Sequence, residues 1–292
     1  MASIGSSSDT SSTAFSGAGT DLATSSANDE PKARRRLLSP RYQRWFDLTK
    51  LLVQRDLRIR YRGSVLGYIW SMMNPMLYMA ILSFVFSHLL RFKVEHFSLF
   101  ILSGILSWNL LQQSLVIGAN SIIANGSLLR KVRVPAGLFP AASVCSVFVN
   151  FLLSLLPFFV VGISIGFKVP WTILLLPFCL LPYLAFIFGI ALLVGSLNVR
   201  YRDIGHIMEP ILMIAFYATP IVYPVDALPE RYAHWLYLNP AAHFVGAVRD
   251  VMFYGRVPPL TNWLMMLGLA VISVAIGLFV YRRTKDSFVY YT

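Results

Sequence analysis

Residues able to do chemistry are scarce in this chain, and their types exclude more than they offer. In QRDLRIRYRGSVLGYIWSMMNP, the arginines Arg55, Arg58, Arg60 and Arg62 stand at almost every second position and abut an apolar run without a linker. Inside the apolar blocks, Glu209 and His88 lie close to the ends. An ion-coupled carrier or a voltage sensor needs ionisable groups at membrane depth, where they are expensive and mark a pathway. The chain contains no Gly-Lys pair, so a phosphate-cradling G-x-x-x-x-G-K-[ST] loop cannot be built. H-E-x-x-H is absent, and the five histidines show no paired spacing. Cys145 and Cys179 each sit in an apolar block and make neither a disulfide framework nor a zinc site. What remains are aromatic side chains: Trp70, Tyr78, Trp108, Phe216, Tyr217 and Tyr223. Such rings can stack on sugar C–H faces, as they do on nucleic-acid bases. Membrane packing and interfacial anchoring use the same residue types.

The elements that must position these groups follow from composition. Hydrophobic residues make up 57% of the 292 residues and charged ones 13%, against roughly 25% charged in ordinary globular domains. The apolar residues come in blocks that approach or exceed the ~20 residues needed to cross a bilayer as a helix. The net charge of +12 gathers at block ends, which speaks for membrane orientation and against nucleic acid as a partner. The pattern predicts an all-α integral membrane protein with six transmembrane helices near Gly67–Leu90, Phe97–Ile123, Leu138–Gly166, Trp171–Leu197, Ile204–Val222 and Leu260–Tyr281.

Three divisions are expected. Residues 1–40 form a Ser-rich, then basic, tail with too little apolar surface to offset the entropy of ordering. Residues 41–62 carry Tyr42, Trp45, Phe46, Leu48, Leu52, Val53 and Leu57 on one half of a helical wheel and charged residues on the other. That pattern suits an amphipathic helix in the membrane interface or one packed on a soluble partner. Residues 63–292 hold the six spans. Arg130, Lys131, Arg133, Arg200, Arg202, Arg282, Arg283 and Lys285, with the basic arm, outweigh the basic residues of the opposite segments. Both termini are therefore expected in the cytosol. Between spans 5 and 6, TPIVYPVDALPERYAHWLYLNPAAHF is too polar to cross and too aromatic for a free loop. Re-entrant helices and a compact outer cap both satisfy its composition.

Two stretches carry a family resemblance. RDLRIRYRGSVLGYIWSMMNPML resembles the approach to the first span of ABC-2 type permeases that export O-antigen, teichoic acid and related polysaccharides. The second stretch holds RD, then YATPIVYP, then LNP, then a following Arg and GRVP, in that family's order. The resemblance runs from about Arg41 to the C-terminus.

That resemblance implies a homodimer of six-span subunits with two cytosolic ATPase subunits, which would bind ATP and Mg, and a channel for lipid-linked polysaccharide. This chain would hold no metal or cofactor and perform no catalysis. Arg55, Arg58, Arg60 and Arg62 would lie where a pyrophosphate-linked lipid is admitted, since guanidinium forks suit phosphate oxygens; anchoring to lipid headgroups explains them equally. The family's coupling helix corresponds to about Asn120–Val134, with Asn125, Leu128, Leu129, Arg130 and Lys131 as contacts to the ATPase. Arg133-Val134-Pro135 departs from relatives with an aromatic before the proline. The resemblance favours re-entrant helices over the cap. It leaves open capsule or teichoic acid export, small-molecule or drug efflux, and a membrane transferase, for which only Glu209 and Asp250 offer a carboxylate.

Overall fold

The computed structural model describes residues 40–61, 69–85, 95–131, 134–225, 229, 236 and 238–288. The chain divides into two units, Met1–Gln43 and Arg44–Thr292; of the first, only the opening of the first helix is described. The Ser-rich tail, Arg62 and Arg133 lie outside the described residues.

Nine α-helices are described: α1 Pro40–Tyr61, α2 Ile69–Val85, α3 Phe97–Ala124, α4 Gly126–Lys131, α5 Leu138–Ser164, α6 Leu176–Arg200, α7 Asp203–Ala218, α8 Pro240–Arg249 and α9 Leu260–Thr284. A 3-10 turn, Trp171–Leu175, leads into α6, and a π turn, Asp250–Tyr254, follows α8. No strand is present among the described residues. Among the described residues, four segments are long and apolar enough to cross a membrane: Phe97–Ala124, Leu138–Ser164, Trp171–Arg200 and Leu260–Thr284. They match the second, third, fourth and sixth expected spans. The first expected span is described only over Ile69–Val85. The fifth ends early, because Thr219 is extended and Pro220 follows it. At 1.5 Å per residue α7 reaches about 24 Å, short of the ~30 Å hydrocarbon core.

Helix α3 occupies the centre and packs on α2, α5, α6, α7 and α8. Three of its hydroxyl groups are folded back on its own carbonyls: Ser103 Oγ donates to Phe100 O, Ser107 Oγ to Ser103 O, and Ser121 Oγ to Gly118 O. Such back-bonding satisfies polar groups where no water is at hand. Tyr183 of α6 donates to Ser107 O at 2.9 Å and stacks on Phe244 of α8, with centroids 4.9 Å apart.

The closest helix contact joins α6 to α9. A methyl group added at Gly189 would fall on the backbone of Ser273 and Val274, and one at Gly277 on the carbonyl of Gly189. Small residues spaced four apart let helix backbones meet in this way, which drives association where lipid removes the hydrophobic incentive. Ser273 Oγ donates to Phe186 O at 3.2 Å across the same seam.

Helix α8 is tied to the end of α7 by Asn239. Its Oδ1 caps α8 by accepting from Ala241 N at 3.0 Å, while its Nδ2 donates to Ala218 O and Thr219 Oγ1 at 3.1 and 2.9 Å. Pro240 opens α8, where a missing N–H costs nothing. The ATP and LNP segments of the sequence therefore meet. Phe244, Val245, Ala247 and Val248 are fully buried, so α8 lies within the packed interior.

Candidate functional site

Arg55 and Arg60 emerge from α1 one turn and a half apart and bind different partners. Arg55 Nη1 donates to Asn125 Oδ1 at 2.7 Å, and its other nitrogens pair with Asp56. Asn125 terminates α3, and its Nδ2 donates to Ser121 O at 2.7 Å. An arginine expected at a phosphate site and an asparagine expected at the ATPase contact thus hold one another. Arg58 is exposed.

Beyond Asn125, α4 stands as a separate six-residue helix inside the expected Asn120–Val134 segment. Leu128 and Leu129 turn inward, half-buried against the small cluster of Leu52, Ile122, Phe139 and Val199. Arg130 and Lys131 are exposed at its end. Asn198 braces the neighbouring connector: its Nδ2 donates to Ala119 O, and its Oδ1 accepts from Gly205 N at 2.8 Å.

Arg60 Nη1 donates to Gln113 Oε1 at 3.2 Å and stands at a groove of about 850 Å³ between α1, α2, α3, α5 and α7. Two helix faces supply most of its wall. On α2, Trp70, Asn74 and Tyr78 recur every fourth residue; on α3, Asn109, Gln112 and Gln113 do so at helical spacing. Asn150 enters from α5 and Glu209 from α7. A smaller recess of about 20 Å³ behind Pro75 shares Asn109, Gln113 and Asn150.

Five carboxamides therefore meet in one groove, and none of them was among the expected site residues. Each offers two donors and an acceptor without net charge. Left unpaired in hydrocarbon, each would cost a few kcal/mol; Gln113 accepts from Arg60, and Asn150 is buried at 7% exposure. The signal legible in sequence was Asn and Gln at helical spacing within apolar blocks.

The six expected aromatics separate. Trp70 and Tyr78 are largely exposed and line the groove. Trp108 does not reach it: it is 2% exposed, packs edge-on to Phe216 at 5.8 Å, and donates from Nε1 to Gln112 Oε1 at 3.0 Å. Its ring holds a groove amide in place from behind. Phe216 is half-buried against Trp108 and Tyr217. Tyr217 is exposed, and Tyr223 Oη donates to the Tyr217 carbonyl at 3.2 Å.

A helical membrane chain with a basic first helix, a short helix after α3 and a neutral polar groove is one of several transporter plans. A family model described as ABC-2 type transporter matches residues 47–253, from α1 to the π turn. The chain belongs to the ABC-2 type transporter family. The O-antigen export system permease protein RfbA of Myxococcus xanthus is 31% identical over 239 residues, covering 81% of this chain and 92% of that protein. RfbA of Klebsiella pneumoniae is 28% identical over 248 residues, covering 83% and 94%. The polysialic acid transport protein KpsM of Escherichia coli is 22% identical over 260 residues, covering 83% and 96%. As an ABC-2 chain it is a multi-pass transport subunit, and the residues the family model spans include both the groove and α4.

Proposed function

We propose that this chain is the permease subunit of an ATP-driven exporter that carries lipid-linked polysaccharide, of the O-antigen kind, across the bacterial inner membrane. The observation that carries this is the groove of carboxamides and aromatic rings. Sugar hydroxyls both donate and accept, and amides can match them in either role. Ring faces let a chain of sugars pass without holding any one residue. Arg60 and Glu209 are the charged residues in the wall, so a neutral polymer meets no ring of fixed charge. That favours O-antigen over a polyanionic capsule of the polysialic acid type.

In this reading two copies face one another across α2 and α7. Those helices expose Leu77, Ile81 and Phe84, and Ile207, Ile211 and Ile214. Pairing them would cover apolar surface and close two grooves into one channel. Helix α2, and α7 together with residues 219–223 that follow it, complete a six-span subunit, α8 is re-entrant, and α1 lies along the cytosolic interface with both termini inside. Two ATPase subunits dock at α4 through Arg130 and Lys131, while Arg58 and Arg60 receive the pyrophosphate of the lipid carrier. Rigid-body displacement of α4 would pass to α3 directly, since Asn125 joins the two.

The test is reconstitution. The chain and its partner ATPase in vesicles should translocate a fluorescent lipid-linked glycan only when ATP is supplied. Transport sustained by an ion gradient without the ATPase would overturn the proposal.

A further inference from the structure

Helix α7 starts at Asp203, and Arg202 before it makes no side-chain cap. The cap comes from another helix. Asn198 stands two residues before the end of α6, and its Oδ1 accepts from Gly205 N at 2.8 Å. That satisfies one of the first-turn amides that a helix leaves open. Its Nδ2 donates to Ala119 O at 2.9 Å and to Asn120 Oδ1 at 3.1 Å, both on α3. Asn120 Nδ2 in turn donates to Val116 O at 3.2 Å, one turn back along α3. Asn198 is 1% exposed. A carboxamide can hold such a place because it donates from one end and accepts at the other without charge. The ends of three helices meet on one side chain.

Packing closes the junction. A methyl group on Gly205 would stand 2.9 Å from Asn120 Oδ1 and 3.1 Å from Asn198 Nδ2, so glycine lets α7 settle onto the pair. The two working parts of the proposed mechanism lie on either side. Five residues along α3 from Asn120 is Asn125, where α3 ends and α4 begins. One and two turns along α7 from Gly205 are Glu209 and Met213, which line the groove. Elsewhere α7 meets α3 through apolar contacts such as Phe216 on Trp108. Contacts of that kind have no preferred direction and allow sliding, whereas hydrogen bonds fix distance and angle.

We propose that Asn198 is the positioning residue that makes α7 follow α3, so that a displacement begun at α4 reaches the groove wall as movement of Glu209 and Met213. This rests on the reading that an ATPase drives the chain through α4. The outer end of α7 is held by Asn239 through Ala218 O and Thr219 Oγ1. Movement of the inner end therefore tilts the stretch between the two ties, as a rigid rod tilts about a fixed end.

Asn198→Leu keeps the branched shape and removes all three bonds. Asn120→Ala removes one, and its exposed position spares the fold. In vesicles with the partner ATPase, glycan exported per ATP hydrolysed should fall about tenfold in Asn198→Leu and about threefold in Asn120→Ala, with ATP hydrolysis maintained. A residue that only stabilises the fold would lower export and hydrolysis together and leave their ratio unchanged. An unchanged ratio in Asn198→Leu overturns the proposal; if that variant does not fold, an unchanged ratio in Asn120→Ala does so. Hydrogen exchange in the purified full chain, without ATPase, reads the junction separately. Residues 204–209 should exchange about tenfold faster in Asn198→Leu than in wild type, and equal exchange overturns the proposal whatever the vesicles show. Wild type that hydrolyses ATP without exporting glycan overturns the transport reading instead, while faster exchange in Asn198→Leu still supports the hold of Asn198 on α7.

Discussion

Arg55 and Asn125 are joined by a hydrogen bond of 2.7 Å between residues 70 positions apart, linking the first helix to the junction of α3 and α4. Through Asn125 Nδ2 the link continues to Ser121 O, one turn back along α3. Any displacement of α4 is thereby felt by α1. Asn125→Ala should detach α1 from this junction. Arg55 is partly exposed, so the loss is expected at about 1 kcal/mol. Hydrogen exchange over residues 44–61 and 126–131 should quicken, while global thermal stability changes little. Unchanged exchange in both segments would show that the bond does not couple them.

The groove predicts a graded effect. Asn74→Leu and Asn109→Leu each remove one amide, worth about 0.5–1.5 kcal/mol to a bound hydroxyl. Each should slow ATP-driven glycan export a few-fold, leaving assembly with the ATPase intact. The pair together should slow it more. Export by the double variant at the wild-type rate would rule the amides out of the path.

Trp108 and Trp70 should behave differently. Trp108→Phe keeps the buried ring but frees Gln112, so export should fall with little loss of stability. Trp70→Phe keeps a face for stacking and should be nearly silent. Rates of glycan uptake into vesicles, set beside melting curves, check both.

The α6–α9 seam predicts a contrast between two glycines of one helix. Gly277→Leu must force α9 away from the Gly189 carbonyl, and overpacking of this kind costs about 1–3 kcal/mol or more. Gly268, beside which a methyl group would meet nothing within 4 Å, should accept leucine. Size-exclusion profiles in detergent should show loss of folded protein for the first and not for the second.

Asn239 performs two tasks that one substitution can separate. Asn239→Asp retains the acceptor that caps α8 but loses the donor to Ala218 O and Thr219 Oγ1. Asn239→Ala loses both, with a capping cost of about 1 kcal/mol. Thermal stability should fall in the order wild type, Asp, Ala. Equal melting of Asp and Ala would mean that the cap contributes nothing.

Much of this architecture was legible in the residues. The boundaries of α3, α5, α6 and α9 fall within a few residues of the apolar blocks, because His96, Asn125, Tyr201 and Lys285 mark where the blocks stop. The early end of α7 was not legible. Thr219-Pro220 sits inside a continuous apolar run, and hydropathy cannot distinguish a span from a helix that halts and turns. The groove was half legible. Trp70 and Tyr78 were identifiable by type, yet Asn74 between them carries no charge and barely lowers the hydropathy of its block. Trp108 has the same composition as Trp70 and the opposite role; only the Trp70-Asn74-Tyr78 spacing distinguishes the wetted face. The bond from Arg55 to Asn125 depends on the path of the chain between them, which composition does not encode.

Because Gly189 and Gly277 bring two backbones into contact, α6 and α9 cannot slide or rotate past each other without a collision of main-chain atoms. They behave as a single strut. If the partner ATPase docks at α4 as proposed, its push would find the give of the molecule in α2 and α7, the two helices that border the groove.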